Sequence, residues 1–446
     1  MKTDAELPRH PRDLFEFSCL QRVVYDGGVA LARRAGLWNR PFRARGDLAD
    51  MRFIDKLYWL YKARYPIERA RRGSGLESLF REQRPPRDAL PAGFERETEI
   101  TLSAVGDLIT HRFLRRSSDT LYRQVSDLIF DADIAMANLE CPVIPDRSAS
   151  FSFRTNAGPL LYFDATEFAT VTSHGPRQYA LVSTANNHSL DFGAAGVDST
   201  LHALRSAGIA SHGMNARGCD ARRVALIDRS TIRVAVLAFT FGLNAHRPPP
   251  ERREIVNCLR LNDEVEAIDF QPVAEQLEDA RSRQADFVVA QLHWGLEHEF
   301  YPTPEQVGVA RHLAELGVDA IVGHHPHVIQ PAEYYRTRRD PERIVPIFYS
   351  LGNLLTPFSS PWLCRSLVAR MGLARGRCRA GTRRTYVSHV EAEPVEQVAD
   401  TARQKLRLMR AVPGSEFPRG GARARSLNSR PTRRSAETAS AATGAR

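Results

Sequence analysis

Histidines at 324, 325 and 327 put three imidazoles into four positions, directly after the apolar run Ala320-Ile321-Val322 and Gly323. Neutral imidazole is the commonest side-chain metal ligand, and ligands of open α/β sheets gather beyond the carboxyl ends of strands. Pro326 fixes its own φ and restricts the residue before it, which is expected to hold His325 and His327 in one relative orientation. Two or three imidazoles are an incomplete site, so carboxylates and further nitrogens must come from elsewhere.

Asp107, Glu140, Asn187, His188 and His293 have the same placement, each after an apolar run. Singly, each has an ordinary explanation. Asp107 would cap a turn, Glu140 would be a surface acid, Asn187 and His188 would steady a loop, and His293 would be a satisfied core histidine. At separate strand ends of one sheet, they instead gather two carboxylates, an amide and several imidazoles. Such oxygen and nitrogen donors suit Mn, Fe or Zn better than Ca or Mg, as one or two ions. A pair of ions ~3.5–4 Å apart activates water and clamps a phosphoryl or carbonyl centre.

The elements that must position these residues follow from hydrophobic period. Apolar strands are expected at Ile100 to Val105, then within DADIAMANLECPV, YALVSTANNHSLDFG, IRVAVLAFTFG, DFVVAQLHWG, the opening stretch and RIVPIFYSLGN. Helical spacing is expected around Leu121 to Phe130, after Asn186-Asn187-His188 in a helix that runs through Leu204 and closes at Gly208, over Val273 to Arg283, and from Pro304 to Leu316. Strands alternating with helices indicate an α/β sheet. Before it, residues 1–97 read as a helical extension closed by a linker with Pro85, Pro86, Pro91 and Gly93. Within that extension Phe53, Ile54, Leu57, Leu60 and Tyr61 have helical spacing, and the face is expected to pack on the neighbouring domain rather than on a membrane surface. The main domain is expected over 98–360. An Arg-rich segment without clear period follows over 361–411, with a helix expected from Val395 to Met409, and 412–446 is expected to be a disordered basic tail.

The 446 residues carry a net charge of +10, but residues 361–446 hold 18 Lys/Arg against 6 Asp/Glu, leaving a nearly neutral body. That distribution speaks against a nucleic-acid-binding module, and the tail lacks interleaved aromatics. Six scattered cysteines form no CxxC pair, which fits reduced thiols. No run reaches the ~18 apolar residues of a membrane span. Acids and prolines occupy the N-terminus where a signal peptide would be apolar, so a cytoplasmic protein is expected, with peripheral membrane association left open.

Six blocks occur in order: GD (106–107), ANLE (137–140), ANNHSLDFG (185–193), HWG with Glu297, GHHPHVIQP (323–331) and YSLGN (349–353, followed by Leu354). The series resembles the CapA family of capsule-synthesis and poly-γ-glutamate biosynthesis proteins. The resemblance implies a calcineurin-like metallophosphoesterase fold, two facing β-sheets flanked by helices, with a metal centre at the strand ends. By position it implies Asp107, Glu140, Asn187, His293, His325 and His327 as metal ligands. It further implies His188 as the acid on the leaving group, with Asp191 orienting it, and Asn186, Glu297, His324 and Asn353 as substrate contacts. Two departures stand out. The usual Asp-x-His is here Asp107-Leu108-Ile109, with His111 two positions too late, and the usual Gly-Asp is Asn138-Leu139-Glu140.

Two functions compete. One is a metal-dependent hydrolase of a phosphoester or γ-glutamyl amide. The other is a non-catalytic accessory protein that binds an anionic polymer alongside capsule-biosynthesis partners, a role the Arg-rich C-terminus suits.

Overall fold

The apolar runs fold into two β-sheets in a computed structural model that describes residues 7–14, 18–145, 152–154 and 158–411. The first sheet begins with β1 (Glu95–Leu108), β2 (Ile134–Leu139), β3 (Leu181–Ser183) and β4 (Ala210–His212), all parallel. The second contains β5 (Ala225–Arg229), β6 (Ile232–Thr240), β7 (Phe287–His293), β8 (Ala320–His324), β9 (Ala332–Arg336) and β10 (Ile344–Phe348). Its order is β9-β10-β8-β7-β6-β5, parallel in the middle with antiparallel edges. The chain then returns to the first sheet through β11 (Asn353–Leu355), β12 (Arg365–Arg377), β13 (Arg383–Asp400) and β14 (Lys405–Arg410).

The sheets face one another across an apolar layer. Leu102, Met136 and Leu181 of the first meet Val236, Val289, Val322 and Phe348 of the second, all essentially inaccessible to water. Burying each such side chain contributes about 1.5–3 kcal/mol. Helices cover the outer faces. Leu277, Leu313 and Ala314, from the helices Gln271–Ser282 and Pro304–Leu316, pack on the second sheet. Ile129 and Val171, from Ser126–Phe130 and Ala165–Thr172, pack on the first. The helix before β8 is sharply bounded, because Thr303 and Gln306 form a reciprocal capping box, Pro304 occupies its first turn and Gly317 ends it at φ 137°.

Two glycines let the site approach its neighbours. A Cβ on Gly106 would lie 2.0 Å from the Gly352 carbonyl oxygen, and one on Gly323 2.0 Å from that of Tyr349. Without them β1 and β8 would be pushed off the segment 349–353.

Several expectations are corrected. Val395 to Met409 is not helical but belongs to β13 and β14, and the segment lacking a clear period forms long paired strands. β12 and β13 alternate polar and apolar only in part, because much of β12 is buried on both faces, which masks period two. The helix expected from Leu121 is confined to Ser126–Phe130. The short edge strands β4, β5 and β9 escaped the reading of period altogether. In the N-terminal extension, helices Cys19–Arg34 (α1), Phe53–Lys62 (α2) and Leu76–Glu82 (α3) form as expected. The packed face of α2, however, is Tyr58 and Tyr61, whereas Phe53, Ile54 and Leu57 face solvent. The tail expected to be disordered, 412–446, lies outside the described residues.

Candidate metal centre

β1 carries Asp107 to the middle of the first sheet's carboxyl edge, between Asn138 on β2 and Asn353 on β11 in register. Its carboxylate is fully buried. Oδ1 accepts the Asn138 amide at 2.9 Å and lies 3.0 Å from His324 Nδ1. Oδ2 accepts the His325 backbone N–H at 3.2 Å and lies 3.4 Å from His327 Nδ1. Burial alone would raise this carboxyl, but His324 and His327 outweigh it and hold Asp107 well below the usual range.

Glu140 follows β2 and is also fully buried, yet neither carboxylate oxygen has a hydrogen-bond partner among the described residues. Oε1 is 3.9 Å from His293 Nε2 and 3.6 Å from His327 Nε2. Burial, reinforced by Asp107, pushes this carboxyl well above the carboxylate range. A buried carboxyl group without a hydrogen bond can ionise only at a cost of several kcal/mol unless a cation answers it.

The second sheet supplies the imidazoles. His293 ends β7 beside His324 on β8. Its Nε2 is 2.8 Å from Asn187 Oδ1, and burial drives its pKa well down, so the ring is neutral and fit to ligate. His325 is likewise neutral through burial, and its Nδ1 has no hydrogen-bond partner among the described residues. His327 behaves oppositely. Burial opposes its charge, but Glu140 and Asp107 raise it to about 10. His325 and His327 adopt φ 93° and 58°. This turn sets the His325 ring against Phe241 and His293, with centroids 4.5 and 4.8 Å apart, and brings His327 to Asp107, at the cost of backbone strain.

Two groups of potential ligands result, each with its donor atoms within 4.8 Å of one another: Asp107, Glu140 and His293, and Glu297, His325 and His327. Glu140 faces both. These carboxylates and imidazoles, buried or half-buried, with Glu140 and His325 Nδ1 lacking hydrogen-bond partners among the described residues, could hold metal ions.

Asn187 bonds Asn244 at 3.1 Å as well as His293. Asn186, fully buried, donates to the Leu139 carbonyl at 2.9 Å and so ties the loop after β3 to β2. His188 stands beside the metal-ligand groups. Its Nδ1 is 2.9 Å from Asp191 Oδ2, and Asp191 also accepts the Leu161 N–H at 2.9 Å. Asn353 Oδ1 meets His327 Nδ1 at 2.8 Å and so fixes that ring. His111 stands apart. Its Nδ1 accepts the Phe113 N–H at 3.0 Å, and burial lowers its pKa to about 3.

Several site residues had no separate signal in the sequence. Asn138 was visible at a strand end but overshadowed by Glu140. Asn244 follows β6 and occupies φ 50°. Trp59 of α2 donates its indole N–H to Glu297, and nothing in its helix marks it for this. Behind it the Lys62 ammonium meets Glu299 at 2.8 Å, both buried, and Tyr58 donates to the same oxygen at 2.9 Å. The extension is thus a wall of the site. A small pocket between the two is lined by Gly46, Met51, Trp59, Lys62, Glu297 and His325.

Residues 101–357 match the profile of the bacterial capsule synthesis protein PGA_cap family, which accounts for more than half of the chain. The chain belongs to that family. The PGA_cap region begins in β1 and runs just past β11, so it contains all the ligand candidates, whereas Trp59 lies before it. Among relatives, the capsule biosynthesis protein CapA of Bacillus anthracis is 28% identical over 277 residues, covering 61% of this chain and 63% of that protein. The PGA biosynthesis protein CapA of Bacillus subtilis is 26% identical over 333 residues, covering 71% and 79%. A hypothetical protein from Thermus thermophilus aligns in three dimensions with TM-score 0.36 and 15% identity, over 65% of this chain and 99% of that one.

Proposed function

We propose that this chain is a metal-dependent hydrolase serving capsule or poly-γ-glutamate biosynthesis, with a phosphoester or γ-glutamyl amide as substrate. The observation that carries the reading is Glu140, a buried carboxylate without hydrogen bonds among the described residues, facing His293 and His327. Asp107, Glu140, Asn187, His293, His325 and His327, with Glu297, would hold divalent ions, which would supply positive charge at the scissile centre and make water there more acidic. His188 then gives its proton to the leaving group, and Asp191 fixes the ring for that transfer through Nδ1. Asn353 holds His327, and Asn138 holds Asp107, so the ligands are set before substrate arrives. The names of the Bacillus relatives supply the capsule and poly-γ-glutamate setting.

His111 favours a second reading. The histidine that would complete Asp-x-His is engaged elsewhere, with its Nδ1 on the Phe113 backbone. A site short of that ligand suits an accessory protein that binds an anionic polymer without cutting it.

The two readings separate in one assay. Protein loaded in turn with Mn, Fe and Zn is offered aryl phosphomonoesters, phosphodiesters and a γ-glutamyl anilide. Turnover that vanishes together with metal in His325→Ala supports the hydrolase. Absence of turnover on every substrate, with polyglutamate bound at low salt, supports the accessory protein.

A further inference from the structure

Nine large hydrophobic residues are exposed among the described residues, and eight of them lie between Leu20 and Leu57. Exposed apolar side chains are ordinarily scattered singly, whereas a concentration marks a surface that something covers. On α1 the positions are Leu20, Val23, Val24 and Leu31, each 66–75% exposed. On α2 they are Phe53, Ile54 and Leu57, of which Phe53 is 76% exposed. The helices are not loose. Val29 and Ala32 of α1 share a cluster with Tyr58 and Tyr61 of α2, and Tyr25 donates to the Leu60 carbonyl at 2.7 Å. Their inner faces are therefore used, and their outer faces remain apolar.

Exposed cations flank the strips: Arg34 lies three positions on from Leu31 on α1 and Lys56 three on from Phe53 on α2, whereas Arg22 and Arg33 sit on the other side of α1. The acids of the same helices are occupied. Asp26 is held by Arg64 at 2.7 Å, and Asp55 is buried against Arg52 at 2.9 Å. Helices with an exposed apolar strip edged by cations are built to lie in a membrane interface, with the strip among the acyl chains and the cations at anionic headgroups. A second copy of the chain fits worse, because a twofold contact would set the same flanking cations against each other. No helix among the described residues is long and apolar enough to cross a bilayer.

We propose that the outer faces of α1 and α2 dock on an anionic lipid bilayer. The contact rests on these helices alone and does not depend on what the buried site does.

The test is co-sedimentation of the full chain with vesicles of phosphatidylcholine containing about a third phosphatidylglycerol. A Leu20→Gln/Val24→Gln/Leu57→Gln variant removes apolar surface at exposed positions and leaves every charge in place, the basic C-terminal arginines included. The wild type is expected to pellet with the vesicles, and the variant to bind at least tenfold more weakly with an unchanged circular dichroism spectrum. Wild-type protein that stays in the supernatant at low salt overturns the proposal. So does a variant that binds as well as wild type, since charge alone then accounts for binding. A dimer in sedimentation equilibrium that the variant dissociates, without vesicle binding, overturns it too and assigns the face to a second copy.

Discussion

Oε1 of Glu140 lies 3.6 Å from Nε2 of His327, and the carboxylate has no hydrogen bond to any described group. The pair joins the two sheets at the point where their carboxyl edges meet. In the metal-free protein Glu140 is held well above the carboxylate range, and His327 at about 10, so each keeps a proton that a divalent ion would displace.

This arrangement predicts opposite effects of Glu140→Gln with and without metal. Metal-free, the variant should melt at or above wild type, because a buried ionisable group without a partner is gone. With Mn or Zn at about a hundred times its dissociation constant, wild type should gain about 2.7 kcal/mol and the variant much less. Thermal melts with chelator and with metal check both. Equal stabilisation of the two proteins would remove Glu140 from the ligand set.

His188 is predicted to separate chemistry from binding. Because its ring pairs with Asp191 and belongs to neither group of potential ligands, His188→Ala should keep the metal content. Turnover should fall about 10²–10⁴-fold, the usual worth of a placed acid. Metal analysis beside steady-state kinetics decides it, and loss of metal in this variant would make His188 a ligand.

Trp59 is predicted to act through Glu297. Trp59→Phe keeps an aromatic ring and removes the indole N–H that Glu297 accepts. Partners of ligands are typically worth about 10–100-fold in metal affinity. Calorimetric titration should therefore show one ion weakened by that factor. Tyr58→Phe, which touches Glu299 instead, should leave both ions unchanged.

How far this site could be read from the sequence depended on what strand ends reveal. Asp107, Glu140, His293 and His325 each close an apolar run, so period and residue type suffice to gather them. Trp59 and Asn244 contact the site only through tertiary packing, and local sequence holds no trace of that. The helix wrongly expected over Val395 to Met409 has the same origin, since those residues pair with distant strands and propensity yields to the ladder. Likewise Phe53, Ile54 and Leu57 share a helical face with nothing in the sequence to say whether a partner covers it. His325 defeats the rule for a residue before proline, and it does so within the candidate centre, where strain is expected to collect.

His111 predicts an acid-sensitive fold. Burial lowers it to about 3, against about 6.5 in the unfolded chain, so between those values only the unfolded state takes the proton. Its contribution is complete above about 6.5 and is lost as pH falls toward about 3, at roughly 1 kcal/mol per pH unit. In His111→Gln the side-chain oxygen replaces Nδ1 as acceptor for Phe113, and that part of the slope should disappear. Urea unfolding of both proteins in chelator at about pH 7, 6 and 5 checks it, and parallel slopes would contradict it.

The most direct test of the metal centre is the metal content of purified protein by mass spectrometry, after reconstitution with Mn, Fe or Zn. The arrangement of Asp107, Glu140 and His293 beside Glu297, His325 and His327 predicts bound transition metal in the wild type. It also predicts loss of that metal in both Asp107→Ala and His325→Ala. A wild-type protein that binds none of the three metals, or variants that retain the full complement, would contradict it.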